Sequence, residues 1–198
     1  MRESSGARHR AIIEAALACF SRHGVEATTI DMIREASGAS VGSLYHRFGN
    51  KEGIAAEVYI QGLRDFRAEM NRALDGAASL EDAVTTVVHA NIDWIVANPD
   101  WARFVFNYRV VLVQANREAA FIDEAGQSNH EAWVRLSALP GAEQLEPVAA
   151  GIYLSLIIGP VHDYARHWLE GRRKMPLGEL RDVFARTALA SLNVLKKQ

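Results

Sequence analysis

Apolar positions recur along this chain at helical spacing almost from end to end. Near the start, Ile13, Ala16, Leu17 and Phe20 fall on one stripe and predict an amphipathic helix over about residues 7–23, stopped by Gly24. A second helix, about 30–37, follows Thr28 and Thr29 as candidate N-caps, with Thr28 and Asp31 at capping-box spacing, and ends at Gly38. A third opens at Ser40 and ends near Phe48, with Leu44 and Phe48 one turn apart as its inward pair. Asn50 caps a long fourth helix, about 51–74. Ser79, three residues before Asp82, opens a fifth that runs to about 97, whose face Leu80, Val84, Val87, Val88, Asn91, Ile95 is mostly apolar. Pro99 opens an aromatic-dense helix, "PDWARFVFNYRVVLVQ", and a further helix covers about 118–138 and stops at "LPG". Two long helices, about 146–169 and 177–197, are joined by "EGRRKMP". Strand-type alternation is absent, so the predicted fold class is all-α.

Composition narrows this picture modestly. With 198 residues, nearly half of them apolar, the chain has enough material for a sizeable core. The one cysteine, Cys19, excludes an intramolecular disulfide and fits a reducing cytoplasm. Glu14 interrupts the first apolar stretch, which reads as a folded helix and not a signal peptide. The most apolar run, "GIYLSLIIGPV", is too short to span a bilayer, so no membrane contact is expected. Net charge is −2, but residues 1–51 hold 7 Lys/Arg against 5 Asp/Glu, which leaves the remainder acidic.

Helices two and three are each about two turns long, joined by "SGAS". That is the pattern of a helix-turn-helix, whose second helix enters the DNA major groove. On the third helix, Ser43 and Arg47 form one row, and Val41, Gly42, Tyr45 and His46 occupy the remaining circumference. Hydroxyl, imidazole and guanidinium groups suit phosphate contacts, and Gly42 removes a Cβ where a backbone can approach DNA closely. Lys51, at the start of the fourth helix, can grip a phosphate together with the helix-end N–H groups. The competing reading is a plain pair of short helices with Tyr45 half in the core.

The run "TTIDMIREASGASVGSLYHRFGNKEGI" resembles the DNA-binding domain of the tetracycline-repressor (TetR) family, over roughly residues 8–60. The rest of the chain resembles that family only in length and helical layout. The resemblance implies a DNA-binding domain over residues 1–52 and a helical ligand-binding and dimerisation domain over 53–198. It also implies that Thr29 and Ser40 touch phosphate from helix starts, and that Ser43 reaches a base edge or a phosphate. Tyr45 and His46 would clamp the backbone and Lys51 would hold a phosphate. Arg47 would meet phosphate or a guanine edge. Two positions depart from the family pattern. Val41 stands where many relatives carry a polar group, leaving an apolar contact such as a thymine methyl. Arg34 stands where Ala is frequent, and either adds a phosphate contact or solvates its helix.

Family resemblance further implies a homodimer on a near-palindromic operator and a pocket for a small-molecule inducer. The last helix offers Leu180, Val183, Phe184, Thr187, Ala188, Ser191, Leu192 and Leu195 on one stripe, and the helix before it Gly151, Ser155 and Gly159 at spacing four, so the dimer is expected through these two helices. Aromatic and bulky candidates for the pocket are Phe66, Met70, Trp94, Trp101 and Phe104, followed by Tyr108, Trp133, Tyr153, Ile157 and His162. Pro160 is expected to kink its helix. His89 and Asp93 share a turn off the apolar stripe, and His162 and His167 diverge around theirs, so neither pair suits a metal. No phosphate loop or nucleophile elbow is present. The expectation is a ligand-responsive transcriptional regulator, most simply a repressor, with no cofactor, no metal and no catalysis. The alternative is a helical interaction module or small-molecule-binding protein without DNA activity.

Overall fold

A computed structural model describes residues 5–146 and 150–197, and its regular elements are helical, as the apolar periodicity predicts. Among the described residues the only β pairing is an isolated bridge between Leu145 and Lys196. The helices are α1 (Ser5–Ala27), α2 (Ile30–Ser37), α3 (Val41–Phe48), α4 (Lys51–Ala73), α5 (Leu80–Ala97), α6 (Pro99–Asn107), α7 (Val110–Gln114), α8 (Glu118–Ser137), α9 (Ala150–Leu169) and α10 (Arg181–Val194). The chain divides into two compact units: residues up to Arg64 with Asp100–Phe121, and Asp65–Pro99 with Ile122 onward.

In the first unit, α1 buries Ile12, Ile13, Ala16, Leu17 and Phe20, the stripe its spacing predicts, and breaks at Gly24. Ile33 of α2, Leu44 of α3 and Ile54, Val58 and Tyr59 of α4 complete the core around it. Phe20 stacks on Phe104 at 5.6 Å, and Phe104 on Tyr108 at 4.8 Å. Gly62 is needed where α4 meets α6: a Cβ there would sit 2.8 Å from the Trp101 ring and 2.9 Å from Val105. The cap of α2 corrects the sequence reading. Thr29, not Thr28, accepts the Met32 N–H at 3.2 Å. Thr28 is buried instead, its hydroxyl donating to the Gly24 carbonyl at 2.7 Å. The predicted aromatic helix is also two, α6 and α7, with the break at Tyr108 and Arg109.

The second unit is built on α5, α9 and α10. Val84, Val88, Ile92 and Ile95 of α5 face Val161 and Ala165 of α9 and Ala185, Ala188 and Leu192 of α10 in its core. Ion pairs Lys196–Glu81 (3.4 Å), Asp182–His89 (3.2 Å) and Arg181–Asp93 (2.9 Å) set α10 antiparallel to α5. The residues before α10 form a 3-10 turn, Leu177–Leu180, where one unbroken helix is expected. The predicted start of the preceding helix near Glu146 falls partly outside the described residues, and α9 runs on through Pro160. The last helix's stripe is shared: Ala188 and Leu192 point into this core while Val183 is 46% exposed.

Candidate nucleic-acid interface

Local chemistry fixes the α2–α3 unit at each joint. The Thr29 cap opens α2, and Gly38, left-handed at φ 66°, closes it. Ser40 opens α3 by accepting the Ser43 N–H at 3.2 Å, and the Gly49 N–H closes it on the Tyr45 carbonyl at 2.9 Å. Asn50 then opens α4, its Oδ1 accepting the Gly53 N–H at 2.7 Å. Gly53 leaves no room at this joint, since a Cβ there would lie 1.9 Å from the Phe48 carbonyl oxygen. The end of the recognition helix and the start of α4 are therefore one rigid corner.

Leu44 is buried and Phe48 half-buried, which turns Val41, Gly42, Tyr45, His46 and Arg47 outward, with Ser43 half-exposed beside them. Tyr45 is 51% exposed, which disfavours the core reading of that ring. A Cβ on Gly42 would meet nothing within 4 Å, so nothing inside the protein requires glycine there. Thr29 and Ser40 are exposed; each hydroxyl accepts a backbone N–H as a cap and still has its own proton to donate. Lys51 donates one proton to the Glu26 carbonyl at 2.8 Å, leaving two on the ammonium. Arg34 is held within α2 by Asp31 (3.2 Å) and Glu35 (3.0 Å), the arrangement of a solvated helix face.

Arg47 also lines a cleft of about 550 Å³ in this unit with His9, Asn50, Asn116 and Arg117. At its base the Glu57 carboxylate, largely buried, takes Arg117 at 2.6 Å and His9 at 3.6 Å, and the His9 ring packs on Phe48 at 5.4 Å. Sequence spacing gave no sign of this cluster, because Glu57 and Arg117 are 60 positions apart.

The ten pocket candidates fall into separate groups. Trp101, Phe104 and Tyr108 belong to the first unit. In the second, Phe66 meets Trp94 at 5.2 Å and His162 at 5.8 Å, with Met70 half-buried one turn along α4. Trp133 stacks on Tyr153 at 4.7 Å, Tyr153 donates its hydroxyl to the Glu146 carbonyl at 2.5 Å, and Ile157 is buried one turn on. Burial, with Arg166 adding to it, lowers the His162 pKa to about 4, so its ring is neutral at pH 7. Missing from the ten is Asn91 of α5, fully buried, with no hydrogen-bond partner for either side-chain polar atom among the described residues. Its signal was already in the sequence: a carboxamide within an apolar stripe, one turn before Trp94. His89 and Asp93 each pair with α10, and no group of three metal-ligating side chains occurs among the described residues. No helix among those residues is long and apolar enough to cross a membrane.

A capped helix-turn-helix, followed by a helical bundle, defines the class of DNA-binding regulators with an attached helical body. Residues 12–58 match the model of the bacterial regulatory proteins of the tetR family. The chain is 29% identical over 132 residues to the HTH-type transcriptional repressor KstR2 of Rhodococcus jostii, spanning 64% of this chain and 62% of that repressor's length. Its fold is similar to that of the fatty acid degradation regulator FadR from Bacillus halodurans, with TM-score 0.73 at 18% identity over 96% of this chain and 97% of that one. The transcriptional regulator FadR from Bacillus subtilis, solved in complex with stearoyl-CoA, is similar with TM-score 0.68 at 15% identity over 91% and 97%.

Proposed function

We propose that this chain is a ligand-responsive, sequence-specific DNA-binding regulator, a repressor that leaves its operator when a small molecule binds. The observation that carries the reading is the α2–α3 unit: two capped eight-residue helices across a left-handed Gly38, with Tyr45, His46, Arg47 and an unobstructed Gly42 turned outward. Thr29, Ser40, Tyr45, His46 and Lys51 hold phosphates. Ser43 and Arg47 reach base edges or phosphates, and Val41 supplies an apolar contact. Arg34 solvates its helix. The working division is a reading head over residues 1–52 and an effector and dimerisation region over 53–198.

The protein acts as a homodimer, so that two reading heads meet two half-sites of a near-palindromic operator about 34–36 Å apart. Exposed apolar residues on the last two helices support that interface: Ile152 on α9 is 47% exposed and Val183 on α10 is 46% exposed, beside the small Ser155 and Thr187. The ligand binds in the helical body near Phe66, Trp94 and His162, and Asn91 is its polar anchor. The remaining aromatic candidates pack as core. Ligand-binding members of this fold, such as the FadR solved with stearoyl-CoA, support an effector site without naming the effector here. Release follows from a population shift: the ligand favours a form of the body in which the two heads no longer match their half-sites.

A mobility-shift assay with the DNA flanking the protein's own gene tests the reading. A specific shift that weakens with salt is expected. No specific shift at low salt refutes it.

A further inference from the structure

Asn91 stands in the middle of the apolar stripe of α5, with Val84 and Val88 before it and Ile95 after it on the same face, and it is fully buried. Among the described residues of the second unit it is the only fully buried side chain that carries an amide or a charge. Neither its Oδ1 nor its Nδ2 has a hydrogen-bond partner among those residues. Buried carboxamides are ordinarily bonded to backbone or to another side chain, because each polar atom left unpaired keeps its full desolvation cost. A leucine here would remove that cost and continue the stripe, so the stability of the bundle gives no reason for asparagine.

The surroundings are aromatic, apolar and uncharged. Trp94, the i+3 neighbour of Asn91, packs edge-on against Phe66 at 5.2 Å, and Phe66 meets His162 at 5.8 Å. All four residues belong to the second unit. Burial first, and the exposed Arg166 second, lower the His162 pKa to about 4, so that ring is neutral at pH 7. Among the described residues no Lys, Arg, Asp or Glu is fully buried, so no buried charge is available to balance a charged ligand group beside Asn91.

A carboxamide offers an acceptor and a donor side by side, and that pair discriminates among ligand groups. An ester or a ketone accepts from Nδ2 and leaves Oδ1 unpaired. A carboxylate sets a second acceptor against Oδ1 and brings a negative charge that nothing buried balances. An ammonium donates to Oδ1, leaves Nδ2 unpaired and brings a positive charge. A primary amide or a lactam carries its N–H and C=O on one edge, satisfies both atoms in one plane and adds no charge.

We propose that the effector of this chain is an uncharged amide, a primary carboxamide or a lactam, whose N–H and C=O pair with Oδ1 and Nδ2 of Asn91. This rests on the effector-site reading above. Cinnamamide, methyl cinnamate and cinnamate share one aromatic frame and differ only in the group in question, the last being ionised at pH 7. Isothermal titration calorimetry on the full chain is expected to show cinnamamide binding ~10-fold or more tightly than either analogue, the worth of a buried polar atom left unpaired. Asn91→Leu, with a urea midpoint expected at or above the parent's, binds the amide and the ester alike, because the preference leaves with the carboxamide. Asn91→Ala gives the same levelling where leucine is not accommodated. An ester or a carboxylate that the parent binds as tightly as the amide overturns the assignment, and is the result that an Asn91 satisfied by water alone would give. A preference for the amide that survives in the folded variants overturns it too. A parent that binds none of the three overturns the effector site at Asn91 as well, while the mobility-shift assay reports on operator binding independently of all these results.

Discussion

Gly53→Ala tests whether the corner between the recognition helix and α4 is as rigid as its contacts indicate. The added Cβ would start 1.9 Å from the Phe48 carbonyl oxygen, whereas real Cβ contacts essentially never fall under 3.0 Å, so the backbone must open by at least ~1.1 Å. The obstacle is main chain and has no rotamer by which to retreat. Overpacking of this kind costs about 1–3 kcal/mol. Loosening the Asn50 cap adds about 0.5–2 kcal/mol, and the better helix propensity of Ala returns about 1 kcal/mol. The net expectation is a loss of about 2 kcal/mol, or roughly 4–8 °C in Tm for a chain of this size. The same opening re-aims the end of α3 that carries His46 and Arg47. With each bidentate base contact worth about 1–3 kcal/mol, operator affinity falls ~10- to 100-fold while binding to random duplex changes less. Urea denaturation and anisotropy on both duplexes measure the two effects. A Gly53→Ala protein with the parent urea midpoint and the parent operator affinity would refute the reasoning.

Gly42→Ala has the opposite stability sign: with open space around the new methyl, the helix gains up to about 1 kcal/mol. Operator affinity nevertheless drops, and unchanged affinity in the same anisotropy assay would remove close backbone approach as the reason for the glycine. Tyr45→Ala and Lys51→Ala each weaken binding to all duplexes by a similar factor; a change confined to sequence preference would contradict their phosphate roles. His162 has a folded pKa of about 4 against an ordinary 6.5, so between those values the unfolded chain binds a proton that the folded chain refuses. Stability therefore declines as pH falls from about 6.5 toward 4, by up to ~3 kcal/mol. His162→Gln flattens that part of a Tm-against-pH curve, and a variant curve parallel to the parent's counts against the assignment.

Helix-by-helix reading of the sequence worked where a local rule decides the outcome. Ser40, Ser79 and Asn50 cap the helices they precede, and the Ile13–Phe20 stripe is buried, because caps and amphipathic faces depend on residues within one or two turns. Thr28 and Thr29 show the limit. Both have the chemistry of a cap, and the choice between them is made by burial of Thr28 against the Gly24 turn, a tertiary fact. The outward face of α3 was legible because eight residues with two inward anchors leave little freedom. The Glu57–Arg117–His9 cluster was not, since it joins three elements distant in sequence. The aromatic candidates illustrate the same difficulty. Periodicity identified large buried rings but could not separate Phe104, stacked between Phe20 and Tyr108, from Phe66, which meets Trp94 and a neutral His162.

Release of a repressor by its ligand sets an energetic requirement that the proposed site must meet. Moving a two-state population from 1:99 to 99:1 needs a differential of about 5.5 kcal/mol between the two states. A ligand that satisfied both polar atoms of Asn91 in one state only would recover roughly 1–3 kcal/mol for each atom otherwise left unpaired. That is the right order without any exceptional affinity. Such a gain reaches the reading head only if the site is mechanically connected to it, and the proposed mechanism assigns that connection to α4, one helix from Lys51 to Ala73. Phe66 on α4 packs in the second unit against Trp94 and His162, while Gly62, one turn earlier on the same helix, is pressed in the first unit against Trp101 and Val105 with no space for even a methyl group. Four residues thus separate the ring that would sense the ligand from a contact that cannot absorb displacement by local compression. Under the proposed mechanism a shift of α4 at Phe66 must therefore appear at its other end, where Gly53 locks it to the recognition helix.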